Sequence, residues 1–362
     1  MIPLNDLKRA TSEDLPQVTD AIQRVLRSGW FILGPELEAF ENEFGTYQGG
    51  GNTVGVGNGT DALEISLIAL GVLPGDLIAT TANSGGYATT AIKKIGAIPV
   101  YVDVDSQTAL MSANSLEQQI KRISNIKCII LTHLYGNAAN VEVIQQIANI
   151  HQIFLLEDCA QAIGAEVNNV KVGNFSDIAT FSFFPTKNLG AIGDAGCIYT
   201  KNKELADQTK KLRQYGWKSK YRSEIVNGQN SRMDEIQAAV LRLRLKEIDL
   251  RNNTRRSILE KYSKSINKQN VEKLWFDSSR SVGHLAVLAV NNRTAAQRIL
   301  QNLEINSEIH YPVLDFQQAA WSELVSDLDN SKELVNRILT IPCFPQLREN
   351  EIEQICNAIS KF

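Results

Sequence analysis

The sequence predicts an α/β fold built on a mostly parallel sheet, and three observations carry that expectation. Short apolar runs of strand character recur between Asn52 and Ser182, with amphipathic helical stretches between most of them. Such alternation implies a parallel sheet covered by helices on both faces. Polar clusters stand where those strands end: Asn58-Gly59-Thr60-Asp61, His133-Leu134-Tyr135-Gly136, Glu157-Asp158, and Ser182 to Lys187. Ligands of open α/β sheets bind beyond the carboxyl ends of the strands, so these clusters mark one candidate site. The chain has 362 residues, room for two domains.

Residues 15–26 carry apolar side chains at helical spacing, and residues 35–44 do the same behind Pro35, which suits a first helical turn. Asn52–Val56 reads as a short strand, followed by a turn and a helix over 61–70. Strands follow at 77–81, 99–103, 128–132, 153–157 and 178–182. Residues 233–256, rich in Leu and Arg, read as one long helix that joins a large domain, 1–250, to a smaller one, 251–362. The tail mixes a strand at 283–290 with helices at 294–303 and 349–360, which predicts an α+β small domain.

Hydrophobic residues are 43% and charged residues 21%, ordinary for a globular enzyme. A formal net charge of -3 argues against a nucleic-acid or membrane-surface protein. No apolar run reaches the ~18 residues of a membrane span. The opening MIPLNDLKRATSED lacks the basic-then-apolar order of a signal peptide. Five cysteines, odd in number and without a CxxC pair, read as buried free thiols in a reducing, cytoplasmic compartment.

Three motifs carry chemistry. Lys187 follows an apolar strand within Ser182-Phe183-Phe184-Pro185-Thr186-Lys187. Desolvation there disfavours the ammonium and makes the amine a better nucleophile toward a carbonyl. Asp158 ends another apolar strand and can pair with a pyridinium nitrogen. Gly59-Thr60-Asp61 opens a helix whose free N–H groups and dipole favour a phosphate. Singly, each has an ordinary explanation: a solvated loop lysine, a structural carboxylate, an N-cap by Thr60. Together they supply the phosphate seat, ring-nitrogen partner and Schiff-base lysine that pyridoxal 5'-phosphate (PLP) requires.

The longer motifs resemble the DegT/DnrJ/EryC1/StrS family of PLP-dependent sugar aminotransferases, nearly end to end. Trp30 to Pro35 with Phe40-Glu41, Gly59 to Leu63, Pro99 to Asp105, Leu134-Tyr135-Gly136, Glu157 to Gln161, Ser182 to Lys187 and Asn230 to Ala239 each match a family block in order. The resemblance implies fold type I, the aspartate aminotransferase-like fold. It implies that Lys187 holds the cofactor and then serves as general base and acid. Asp158 would pair with the ring nitrogen, and Gln161 would contact the ring or its hydroxyl. Gly59, Thr60, Asp61 and Ser182 would form the phosphate seat, and Tyr87 would stack on the ring. Asn230 would reach the neighbouring subunit's cofactor, which implies a homodimer with shared sites. The substrates implied are an amino acid donor, L-glutamate, and a nucleotide-linked keto sugar. Residues 187–196 favour a dTDP-3-keto-6-deoxyhexose over a 4-keto sugar or a cyclitol ketone. A sugar dehydratase of this fold carries His in place of the lysine. A non-catalytic regulator would have lost the lysine or the Asp.

Some positions depart from the family. The stretch 82–89 is one residue longer than usual, Ile163 stands where many members have His, and Phe316 replaces a common His after His310-Tyr311-Pro312. Competing readings are weaker. Gly55 opens a near match to a dinucleotide fingerprint that Thr60 breaks. His133, His151, His284 and His310 lack metal-ligand spacing and read as structural or surface residues. Arg242, Arg244, Lys246 and Arg251 read as a solvated helix face.

Overall fold

The computed structural model describes residues 1–321 and 328–362. Two helices lead in, α1 (Leu7–Ser28) and α2 (Pro35–Tyr47). The large sheet then begins with β1 (Asn52–Val56), α3 (Gly59–Ala69), β2 (Leu77–Thr80), α4 (Tyr87–Lys94) and β3 (Ile98–Tyr101). It continues through α5 (Ala113–Arg122), β4 (Ile126–Thr132), α6 (Val141–His151) and β5 (Phe154–Asp158). After a small hairpin, β6 (Glu166–Val167) and β7 (Val170–Lys171), it ends in β8 (Ile178–Ser182) and β9 (Gly196–Thr200).

The seven strands lie in the order β1-β9-β8-β5-β4-β2-β3. From β8 to β3 neighbours are parallel, whereas β9 runs antiparallel to both β8 and β1. The expected mostly parallel sheet is therefore present, with one reversed strand that the sequence reading omits. Its cause is local: the segment between β8 and β9 forms no helix, and a loop without a crossover helix returns the chain antiparallel. Alternation along the strands feeds two cores. Ile129, Leu131 and Leu155 pack on one side of the sheet, and Cys128, Ile130 and Leu156 on the other.

Beyond α7 (Lys203–Leu212) and the hairpin β10 (Trp217–Ser219) and β11 (Arg222–Ser223), the expected single helix over 233–256 is two. α8 (Glu235–Leu245) and α9 (Ile248–Ser265) break at Glu247, whose φ of -110 and ψ of 1 are not helical. The break serves packing: α8 seats on α1 and α2, while α9 seats on the last helix of the chain. The rest comprises β12 (Val271–Leu274), β13 (Ala286–Val290), α10 (Arg293–Asn302), α11 (Asp329–Arg337), β14 (Ile338–Ile341) and α12 (Glu349–Ile359). β12, β13 and β14 form an antiparallel sheet whose core includes Ile258, Tyr262, Leu288, Leu339 and Ile355. Ile2 belongs to that same core and bridges Ile305, its N–H donating to Glu304 O and its carbonyl accepting from the Asn306 N–H.

All five cysteines are free thiols, four of them buried. Among the described residues no helix is long and apolar enough to cross a membrane.

Candidate active site

Three strand ends of the large sheet converge on a cavity of about 720 Å³. At the first, β1 turns into α3. The Asn58 side chain caps that helix, accepting from the Asp61 N–H at 2.9 Å, so the cap expected of Thr60 belongs to Asn58. Gly59 and Thr60 keep N–H groups with no partner inside the helix, at its positive end. Both residues line the cavity beside Ser182. A Cβ on Gly59 would come 2.8 Å from the Ser182 Cβ, so only glycine lets α3 meet β8 this closely. Asp61 is not in the wall. Its carboxylate accepts from Ser231 Oγ at 2.6 Å, and Ser231 Oγ accepts from the Gly57 N–H at 2.9 Å. The structure thus corrects the expected phosphate contact: Asp61 braces the turn, and a carboxylate facing a phosphate would repel it.

At the second strand end, Asp158 is buried opposite Thr132 of β4. Thr132 Oγ1 donates to Oδ2 at 3.4 Å and the Ala160 N–H to Oδ1 at 3.1 Å. Burial raises the Asp158 pKa, while the Ala160 N–H and the charge of Lys187 oppose that shift. Beneath it, His133 Nε2 lies 3.1 Å from Glu157 Oε1, and the Ala139 N–H donates to His133 Nδ1 at 2.9 Å. The ring proton is therefore on Nε2, which donates to Glu157. Glu157 also accepts from the Gly173 and Phe175 N–H groups and from Ser176 Oγ. The Cys159 sulfur is close by, with possible ligand atoms of all three residues within 4.8 Å of one another. The histidine nitrogens and the glutamate oxygens are already bonded, and the group acts as a brace for β5. Gln161 is set by two hydrogen bonds: Tyr135 N–H donates to its Oε1 at 2.7 Å, and its Nε2 donates to Tyr311 OH at 3.1 Å.

At the third, the chain leaves β8 at Ser182 and turns so that the Lys187 N–H donates to Phe184 O at 2.8 Å. Lys187 lines the cavity with Asp158. Burial lowers its ammonium pKa to about 8, against the attraction of Asp158. Tyr87 stands in the same wall at the start of α4, after Gly85 and Gly86 at φ of 83 and 79. Its ring meets Tyr311 edge-on at 6.1 Å. Asn230 is exposed, bridges Gln214 and does not line this cavity of its own chain.

Sequence reasoning missed part of the wall. Asn5, His284, Asn306 and Glu308 line the cavity, as do His310 and Tyr311. His284 and His310 are therefore site residues, not the structural or surface histidines expected; no spacing signal marks them. The expected solvated arginine face is also corrected. Arg242 pairs with Glu36 and Glu43, Arg251 with Glu247, and buried Arg244 with Asp14 and Gly190 O. Phe316, where a His is common, packs on Tyr101.

A family model for the DegT/DnrJ/EryC1/StrS aminotransferase family matches residues 13–360. The chain is 36% identical to the erythromycin biosynthesis sensory transduction protein EryC1 of Saccharopolyspora erythraea, covering 98% of this chain and 97% of that protein. It is 36% identical to the dTDP-3-amino-3,6-dideoxy-alpha-D-galactopyranose transaminase of Aneurinibacillus thermoaerophilus, over 100% of this chain and 99% of the relative. Among solved structures, DesV of S. venezuelae in complex with a ketimine intermediate superposes with a TM-score of 0.95 at 33% identity, covering 99% and 98% of the two chains.

Proposed function

The chain belongs to the DegT/DnrJ/EryC1/StrS aminotransferase family, whose members use PLP, and from that premise we propose that it moves an amino group from L-glutamate to the ketone of a dTDP-3-keto-6-deoxyhexose. One observation supports this reading most: an amine, a buried carboxylate and an open helix N-terminus share one cavity.

That donor set fits PLP. The N–H groups of Gly59 and Thr60, which have no partner inside the helix, suit a phosphate, and the missing Cβ of Gly59 lets Ser182 pack against that helix end. When bound, PLP supplies the electron sink for the bond that breaks at the amine-bearing carbon. Asp158 holds a proton on the ring nitrogen by charge pairing. Lys187 holds the cofactor through its amine and, once released, takes a proton from one carbon and returns it to another position. A pKa near 8 keeps a sizeable fraction of that amine neutral at physiological pH. Gln161, fixed by Tyr135 and Tyr311, would contact the ring or its hydroxyl, and Tyr87, in the same cavity wall, would stack on it. Asn230, exposed and outside its own cavity, completes the site of a partner subunit in a homodimer. We assign the cofactor domain to residues 1–250 and the small domain to 251–362, with Ile2 crossing over to pack in the core of the small domain.

The likeness to the Aneurinibacillus relative, a 3-amino sugar transaminase, supports the C3 position. The name of EryC1 as a sensory transduction protein is what supports a regulatory reading; the retained Lys187 and Asp158 weigh against it.

The test is the visible absorption of purified protein before and after L-glutamate, beside Lys187→Ala. The expected result is a band that bleaches with glutamate and fails to form normally in the variant. No band after PLP is added sinks the proposal. A panel of dTDP-linked 3-keto and 4-keto sugars then reads the acceptor, and turnover of only the 4-keto members rejects the C3 assignment. Undiminished PLP binding by a proven monomer rejects the shared site.

A further inference from the structure

Tyr135 stands just beyond β4 with a φ of 62 and a ψ of 6, a left-handed conformation that disfavours a residue with a bulky side chain. A glycine there would relax the backbone. Such a conformation persists where its surroundings over-determine it, and each polar group of Tyr135 is held by a different segment. Its N–H donates to Gln161 Oε1 at 2.7 Å, its carbonyl accepts from the Leu285 N–H at 3.2 Å, and its hydroxyl donates to His310 O at 2.7 Å. The buried ring lies against Trp275, with centroids 6.4 Å apart.

These bonds close a circuit whose directions are all forced. A backbone N–H only donates, so Gln161 turns its oxygen to Tyr135 and keeps Nε2 for another partner. Nε2 donates to Tyr311 OH at 3.1 Å, and Tyr311 follows His310 in the chain. The His310 carbonyl only accepts, so the Tyr135 hydroxyl donates. Burial raises the pKa of that phenol and keeps its proton in place. The circuit thus runs from Tyr135 through Gln161, Tyr311 and His310 back to Tyr135. On its other side the run that carries His310 and Tyr311 is anchored to β14, where Glu308 and Thr340 exchange backbone bonds and His310 Nδ1 lies 3.0 Å from Thr340 Oγ1.

We propose that Tyr135 is a positioning residue for the acceptor half-reaction: it sets where His310 and Tyr311 stand against Gln161, and so where the keto sugar rests in the cavity. This rests on the reading of the cavity as a sugar aminotransferase site. The bond from Gln161 to Tyr311 joins two side chains, each free to turn about its own torsions. The Tyr135 bond to the His310 carbonyl makes that link one side of a closed loop, so its ends no longer move independently. The wall then stands in place before the acceptor arrives, and less ordering is left for binding to do. A glycine at this position would ease the backbone but could not reach His310, which gives the left-handed tyrosine its reason.

Tyr135→Phe keeps the ring, its packing and the backbone N–H, and removes the hydroxyl alone. It is compared with Tyr311→Phe and with the double variant. Each single variant is expected to raise KM for the sugar about 2–10-fold, the equivalent of one hydrogen bond, with the glutamate half-reaction within about twofold of wild type. Breaking either bond opens the circuit, so the double variant should raise KM by clearly less than the product of the two single effects. The same cycle on apoprotein should lower Tm by about 1–3 °C in each single variant and by less than the sum in the double. Tyr135→Leu takes the place of the Phe variant if that one does not fold. An unchanged KM for the sugar in Tyr135→Phe, an equal loss in both half-reactions, or single effects that multiply in full in the double variant overturns the proposal. If the wild type accepts no nucleotide-linked keto sugar, the acceptor reading has failed instead, and the Tm cycle still decides whether the circuit acts as a unit.

Discussion

The floor of the cavity and its outer wall are built in different ways. The floor is the carboxyl edge of a parallel sheet, where the pairing of Thr132 with Asp158 and of Asp158 with Thr180 sets the spacing of functional groups residue by residue. The wall is assembled from pieces far apart in sequence, Asn5, His284 and the run from Asn306 to Tyr311. These are held by contacts between separate segments, such as the paired backbones of Glu308 and Thr340, Tyr135 OH donating to His310 O at 2.7 Å and Gln161 Nε2 donating to Tyr311 OH. A rigid sheet edge suits chemistry that every substrate shares. A wall held by separable contacts can vary and so suits the choice among substrates.

Substitutions can break that contrast or sharpen it. The largest effect is expected on the floor. Asp158→Asn should slow the glutamate half-reaction by about 10²–10⁴-fold, the range of a single electrostatic or acid–base group. Stopped-flow absorbance measures it, and a loss below about tenfold would show that the floor is not where the chemistry is set. Next, Gly59→Val places a Cβ against Ser182, an overpacking of about 1–3 kcal/mol at the helix end. Cofactor titration should show PLP binding weakened about 10–100-fold. Unchanged binding would move the phosphate seat elsewhere. In the wall the effects should be smaller and selective. Tyr311→Phe removes the acceptor of Gln161 Nε2, worth about 0.5–1.5 kcal/mol. KM for the sugar should rise about 2–10-fold, with the glutamate half-reaction nearly unchanged. Equal loss in both half-reactions would erase the distinction between floor and wall.

The smallest effect concerns stability behind the wall. Asp315 is fully buried and accepts from Thr89 Oγ1 at 2.6 Å. Burial raises its pKa from 3.8 to about 7, with the Thr89 hydroxyl opposing. A carboxyl whose folded pKa lies above its unfolded one favours folding fully below about pH 4 and loses that contribution as pH rises through about 7. Asp315→Asn should therefore flatten the fall of Tm across that window by a few degrees, on the order of 2–4 °C. An identical slope in wild type and variant would assign the pH dependence to other groups.

The same contrast explains what could be read from the sequence. Lys187, Asp158, Gly59 and Thr60 were legible because each follows an apolar strand, and topology sends such ends to one edge. Asp61 was misplaced because a motif position does not say which way a side chain turns; Ser231, far along the chain, decides that. His284 and the reversed β9 were not legible because no local period marks a residue delivered by tertiary packing. The long helix over 233–256 failed for a related reason: its pattern is helical throughout, and the break at Glu247 answers to two separate packing partners.

The bridge between Ile2 and Ile305 fixes an order of events during synthesis. Ile2 leaves the ribosome early, and its partner does not exist until most of the chain has been made. Every floor group, from Gly59 to Lys187, is translated before the segment that anchors the wall. Until that segment is made, the cavity around Lys187 lacks the residues from Asn306 to Tyr311 that line its wall.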